Sequence, residues 1–212
     1  MKKKSTAAAL LLAAVLLIPA CTEQRAVQVH IGDETQESRP AEEAVYEGML
    51  SELVANGGKN TYDTLNVATY ITKVEDTYFI ADCYHNQIIY NQNLTDPLSQ
   101  WRVLTNEVHY AHTIASDGVM LLADDTENNR LLAFQRTDDG YVHTQTLENI
   151  GMRPHYVQYD AKNQVFMAWS SITGEMYLIK KAEHPDARGI YPLYVDKILK
   201  IDELYGVYVR SF

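Results

Sequence analysis

The feature that most restricts what this chain can fold into is a sequence period of about 43 residues. Three segments align on it: Tyr78 to Tyr90, Val119 to Leu132 and Val165 to Ile179. Each is an apolar run, a polar turn and a second apolar run. The turn residues Asn86, Asn129 and Gly174 fall 43 and 45 residues apart, and they are of the types that accept positive φ in a tight turn. Upstream of each unit stands another strand candidate ending in an acidic turn: Ile71 to Asp76, His112 to Asp117 and His155 to Asp160. A further strand follows the hairpin, as at Tyr141 to Leu147. Four short strands in roughly 40 to 45 residues is the spacing of a β-propeller blade. A sandwich or barrel also strings short strands together, but neither requires the same turn chemistry at a fixed period. The expected fold class is therefore all-β, with propeller-type four-stranded blades.

Two of the copies carry a resemblance. Ala81-Asp82 through Asn86-Gln87-Ile88, and Ala123-Asp124-Asp125 through Asn129-Arg130-Leu131, resemble the Ala-Asp, Asn-Arg-Ile signature of NHL-type propeller repeats. The third copy departs from it, with Trp169-Ser170 and Gly174-Glu175 at those places. The resemblance implies the fold over residues 65 to 205. For function it implies only a range, since such propellers serve as scaffolds, binding proteins, lyases and lactonases. About three blades fit between Leu65 and Lys200, whereas closed propellers have four to eight. Tyr208 to Phe212 looks like the start of another inner strand, with Arg210 matching Arg153 and Phe212 matching His155. Three expectations follow: the front part of a longer, six-bladed NHL-like ancestor, a truncated nonfunctional remnant of one, or a homo-oligomer in which two chains pair head to tail.

The first 20 residues read as a signal peptide: Lys2 to Lys4, an uncharged apolar run from Ala7 to Ile18, then Pro19-Ala20. The apolar run is about a dozen residues, too short to cross a bilayer, which takes roughly 20. Ile18 to Cys21 resembles the lipobox of bacterial lipoproteins, which implies lipidation at Cys21, palmitate among the acyl chains, and a location on the extracytoplasmic face of the cell membrane. Two acyl chains suffice for stable anchoring. The alternative is an ordinary secreted protein. Residues 21–60 are expected to form the lipidated cysteine, a polar tether and a short helix from Pro40 to Asn56-Gly57-Gly58, with a short strand at Val27 to Ile31. The partial propeller then occupies 61–212.

Removing the signal takes away three lysines and leaves 15 basic against 28 acidic side chains, a charge of −13. Such a surface repels polyanions, so nucleic acid is excluded as a partner. Cys83 is the one cysteine besides Cys21; its apolar surroundings suggest a buried small hydrophobe rather than a reactive thiol.

The acidic turns place His112 and His155 at one point of successive blades, where the first repeat has Ile71. Inner strands line a propeller's channel, so both imidazoles would converge there, with His109 and Arg153 close by in sequence. They could share a divalent metal, or bind a ligand with Arg153 clamping a carboxylate or phosphate. The plainer alternatives are channel-lining histidines and an arginine paired with a surface acid. His109 and His112 are three apart, which on a strand sets them on opposite faces. Asp82, Asp124 and Asp125 read as local turn caps. No phosphate loop, nucleophile elbow or zinc-protease helix motif occurs, and 15 tyrosines suit strands as well as a stacking surface. The function expected is a membrane-anchored binding module for an unknown small molecule, glycan or protein. The alternative is a metal-assisted lyase or hydrolase using His112 and His155.

Overall fold

The computed structural model describes residues 58–209. These form twelve strands in three four-stranded antiparallel sheets, each a simple meander. Blade 1 holds β1 (Ala68–Val74), β2 (Thr77–Asp82), β3 (Gln87–Asn91) and β4 (Arg102–Thr105). Blade 2 holds β5 (Ile114–Ser116), β6 (Met120–Asp125), β7 (Arg130–Thr137) and β8 (Gly140–Leu147). Blade 3 holds β9 (Pro154–Asp160), β10 (Val165–Ser170), β11 (Glu175–Lys181) and β12 (Leu193–Lys200). The architecture is that of an incomplete propeller, and β1, β5 and β9 are the inner strands.

Both faces of the middle blade are buried, which explains why its strands read as continuous apolar runs rather than alternating ones. Successive side chains of a strand point to opposite faces. Leu121, Ala123, Leu132 and Phe134 of blade 2 accordingly pack on Phe79, Ile88 and Tyr90 of blade 1. Met120, Leu122, Leu131 and Ala133 pack the other way, on Phe166, Ala168 and Ile179 of blade 3. Each fully buried Phe or Leu contributes about 2 to 3 kcal/mol. Tyr141 closes the first of these cores by standing edge-on to Phe79 and Tyr90, with ring centroids 5.2 and 5.3 Å apart.

The hairpins follow the expected chemistry. A single 3-10 turn ends β2 and β6, and the next residue, Asn86 or Asn129, takes φ of 53° or 57°; Gly174 has 65° in blade 3. The aspartates do something other than cap these turns. Asp82 Oδ1 accepts the amide of Asn66 at 2.7 Å, and Asp125 Oδ1 accepts that of His109 at 2.6 Å. Ser170 Oγ accepts Met152 N at 2.6 Å in the third blade. Each bond ties the end of a blade's second strand to the loop that leads into its first.

These staples set the true alignment of the blades. Counting from them, Thr69 rather than Ile71 is the blade 1 counterpart of His112 and His155, at intervals of 43. The acidic turns mislead because the β1–β2, β5–β6 and β9–β10 connections differ in length. Ile71 is 53% exposed. The inner strands also start elsewhere than expected, β1 at Ala68, β5 at Ile114 and β9 at Pro154, so His112 precedes its strand while His155 lies within one.

Residues 58–60 lie along the outer edge of β4: Asn60 N donates to Trp101 O and Val103 N to Gly58 O, both at 2.8 Å. After β12, Asp202–Leu204 makes one 3-10 turn and Trp169 Nε1 donates to Val207 O at 2.8 Å. Residues 207–209 are not in a strand, and the rest of the stretch expected to open another inner strand, Arg210 to Phe212, lies outside the described residues. The expected signal peptide, Cys21, the strand expected at Val27 to Ile31, the helix expected from Pro40 to Asn56, Arg210 and Phe212 all lie outside the described residues. Among the described residues no helix is long and apolar enough to cross a membrane.

Candidate functional site at the junction of blades 2 and 3

The loops leading into the three inner strands carry the same strained residue. Val67, Tyr110 and Arg153, 43 residues apart, have φ of 56°, 57° and 59°, a region unfavourable to bulky side chains and held by surrounding structure. The hairpin asparagine of the preceding blade supplies that hold. Asn86 Oδ1 accepts Tyr110 N at 3.2 Å and Asn129 Oδ1 accepts Arg153 N at 2.8 Å. The next contact also repeats with changed chemistry. Tyr84 meets Tyr110 ring to ring at 5.4 Å, whereas the equivalent Glu127 forms an ion pair with Arg153.

This geometry brings His112, His155 and Arg153 together. The two imidazoles stack with centroids 4.0 Å apart and planes 26° from parallel. Tyr208 stands edge-on to His155 at 4.9 Å, and its hydroxyl accepts from Arg153 Nη1 at 3.4 Å. His109 is not part of the group: its amide serves Asp125 and its ring lies against Tyr110. Arg153 takes the plainer of the two expected roles, paired with an acid, so a ligand carboxylate would share it with Glu127. Sequence reasoning did not find Glu127 or Tyr208, which stand 26 residues before and 55 after Arg153 with no spacing signal.

Beneath the stack lies a buried polar cluster. Asp124, with no exposed surface, receives His112 N at 2.9 Å, Thr113 N at 2.5 Å and the Thr113 hydroxyl at 2.8 Å. Thr113 Oγ1 in turn accepts Val157 N of blade 3 at 2.8 Å. The Thr126 hydroxyl lies 2.8 Å from both Asp124 Oδ2 and the Pro154 carbonyl. Its single proton is shared between these two acceptors. Burial pushes the Asp124 carboxyl up, against the opposing pull of His112 and of its hydrogen bonds. His112 is driven below the ordinary imidazole value, first by burial and then by the Arg153 charge, with Asp124 and Glu127 opposing. It is therefore held neutral.

As arranged, the pair does not suit a metal. The nitrogen lone pairs lie in the ring planes, and in nearly parallel rings they run side by side instead of converging on a point about 2.0 to 2.1 Å from each. Among the described residues no group of three His, Cys, Asp or Glu side chains is placed to hold a metal ion. Cys83 is buried in blade 1, and burial, with the Asp124 and Asp82 charges, pushes its thiol up to about 11. It behaves as the buried hydrophobe the sequence suggested.

No family model and no curated protein matches this chain. Solved structures similar to it include a hydrazine synthase from Kuenenia stuttgartiensis, 15% identical over 65% of this chain and 39% of that one, with a TM-score of 0.42. A Lactobacillus plantarum protein is 19% identical over 59% of this chain and 41% of its own, at 0.40. A candidate 6-phosphogluconolactonase of Bacteroides fragilis is 13% identical over 68% and 42%, at 0.43. The chain thus spans about two fifths of the length of these proteins.

Proposed function

We propose that this chain is a membrane-anchored, extracytoplasmic binding module of NHL-like propeller type, whose ligand sits over His112, His155 and Arg153. One observation carries the reading: equivalent positions of adjacent blades both hold an imidazole, and the two rings meet at 4.0 Å beside a charged pair. A neutral imidazole both donates and accepts, and with Arg153 and Glu127 at hand the rim can match a small molecule, glycan or peptide carrying both kinds of group. Ligand-observed NMR against organic acids, sugars and short peptides tests it. The expected hit loses binding in His112→Ala and in His155→Ala; a ligand that binds both variants as well as the parent would remove the rim from consideration. Stoichiometric divalent metal in the purified protein, lost in the same variants, would favour the metal-assisted lyase or hydrolase instead.

The anchor rests on Ile18 to Cys21. Cys21→Ser should move the protein from the membrane fraction to the soluble one, and unchanged fractionation would contradict lipidation. Head-to-tail pairing of two chains has separate support. Ser171 Oγ and Gln158 Oε1 are buried without a hydrogen-bond partner, and Ser171 stands where Thr126 does in blade 2, the residue that reaches the next blade. Light scattering should show a dimer; a monomer that stays monomeric at high concentration argues against it.

A further inference from the structure

The hairpin of blade 1 differs from that of blade 2 in one respect that the fold does not require. In blade 2 the buried carboxylate of Asp125 is neutralised by a permanent cation, Arg130 Nε at 2.7 Å, and is further bound by the Asn128 amide at 2.9 and 3.0 Å. Blade 1 replaces these, 43 residues earlier in each case, with Gln87 and His85. Gln87 Nε2 donates to Asp82 Oδ2 at 3.0 Å and to Asn60 Oδ1 at 3.1 Å. His85 Nδ1 lies 2.7 Å from Asp82 Oδ2. The Asp82 side chain is fully buried, so it fixes the proton on His85 Nδ1 and leaves Nε2 as the ring's remaining polar atom.

A second observation concerns what surrounds that ring. Tyr62 lies flat on it, centroids 3.7 Å apart and planes 7° from parallel. Tyr62 is itself held by Asn60, whose Oδ1 accepts its amide at 3.1 Å and whose Nδ2 donates to its carbonyl at 3.0 Å. The imidazole is thus clamped on one face and at one nitrogen. Its free edge borders a cleft of about 420 Å³ lined by Lys59, Thr61, Gln87, Val103 and Asn106 as well. The lining holds a lysine, a histidine, two amides and two hydroxyls, and no acid, in a chain with a net charge of −10. Among the described residues Lys59 has no carboxylate partner.

We propose that this cleft binds a small carboxylate-bearing ligand, with Lys59 supplying the charge and His85 Nε2 a directed donor. Asp82 makes that role chemically consistent: when the imidazole is charged, Nδ1–H remains on Asp82 and Nε2–H is aimed at the ligand. A single lysine with one imidazole balances one carboxylate, whereas a doubly charged phosphate would be left partly uncompensated. The clamped ring loses little freedom on binding, which favours recognition by a preorganised donor.

The test is a ligand-observed NMR titration of the full chain with propanoate, using propanamide as its uncharged counterpart. Propanoate should bind and propanamide should not. Lys59→Met and His85→Gln should each weaken propanoate about tenfold, the loss expected for one charge-assisted hydrogen bond. Gln at position 85 keeps an N–H for Asp82, and a urea midpoint within error of the parent confirms that both variants fold. His112→Ala should leave propanoate binding unchanged, which separates this cleft from the rim of blades 2 and 3. Equal binding of propanoate and propanamide, variants that bind as the parent does, or loss in His112→Ala would each overturn the proposal.

Discussion

Asn129 and Arg153 belong to different blades, yet the side-chain oxygen of the first accepts the backbone amide of the second at 2.8 Å, and both residues hold positive φ. A strained hairpin residue thereby holds the next blade's strained residue in place. Asn129→Val should cost about 2 to 3 kcal/mol, from left-handed backbone strain and the lost bond together. Asn129→Gly should cost about 1 kcal/mol, since glycine removes the strain but not the missing acceptor. Urea midpoints would check the order; equal costs would mean that the turn conformation does not matter.

Asp124 and Asp125 are adjacent and equally buried but differently satisfied. Asp125 pairs with Arg130, so Asp125→Asn leaves that half-buried guanidinium with only the longer Glu148 ion pair at 3.7 Å, at a cost of about 2 kcal/mol. Asp124 accepts from two backbone amides and two threonine hydroxyls, so Asp124→Asn sets an NH2 group against donors whichever way the amide turns. It should cost about 2 kcal/mol or more. Chemical denaturation checks both; a near-neutral Asp124→Asn would show that the carboxyl is already protonated in the fold.

His112 gives stability a pH dependence whose sign follows from burial. Its folded value is depressed, so below the ordinary imidazole value of about 6.5 the unfolded chain takes up a proton that the folded one resists. The contribution is fully present above that pH and is lost as pH falls through it. His143 is shifted the same way, chiefly by burial, and acts in the same window. Asp124 has the opposite sign: its raised value favours the folded state at low pH and loses that contribution as pH rises above the ordinary carboxylate range. His112→Gln should therefore lose less stability than the parent between pH 7.5 and 5.5. An unchanged pH slope would mean that the imidazole is not held neutral.

Gly151 has φ of 57°, and a Cβ there would lie 2.3 Å from Ser170 Oγ. That hydroxyl caps Met152 N and donates to Met152 O, so Ala cannot be accommodated without breaking the blade 3 staple. Gly151→Ala should cost about 2 kcal/mol or more, read as a fall in melting temperature. Gly189, with open space around it, is the control.

The sequence alone determined the repeat, the four strands per period and the turns, because these depend on local chemistry: the alternation of side chains along a strand, and the tolerance of Asn and Gly for positive φ. It also brought His112, His155 and Arg153 to one place, since equal positions of adjacent blades converge. Only the tertiary structure decided the rest. Asp82 and Asp125 looked like local caps, but their acceptor oxygens turn to amides 16 residues upstream, a distance along the chain that no local pattern encodes. Thr69 replaced Ile71 as the third inner position because connections of unequal length shift a count made from the turns but not one made from hydrogen bonds. Stacked imidazoles, a buried Asp124 filled by four donors and a His85 held between Asp82 and Tyr62 depend on burial and on the direction of individual bonds, and these exist only once the strands and blades have packed.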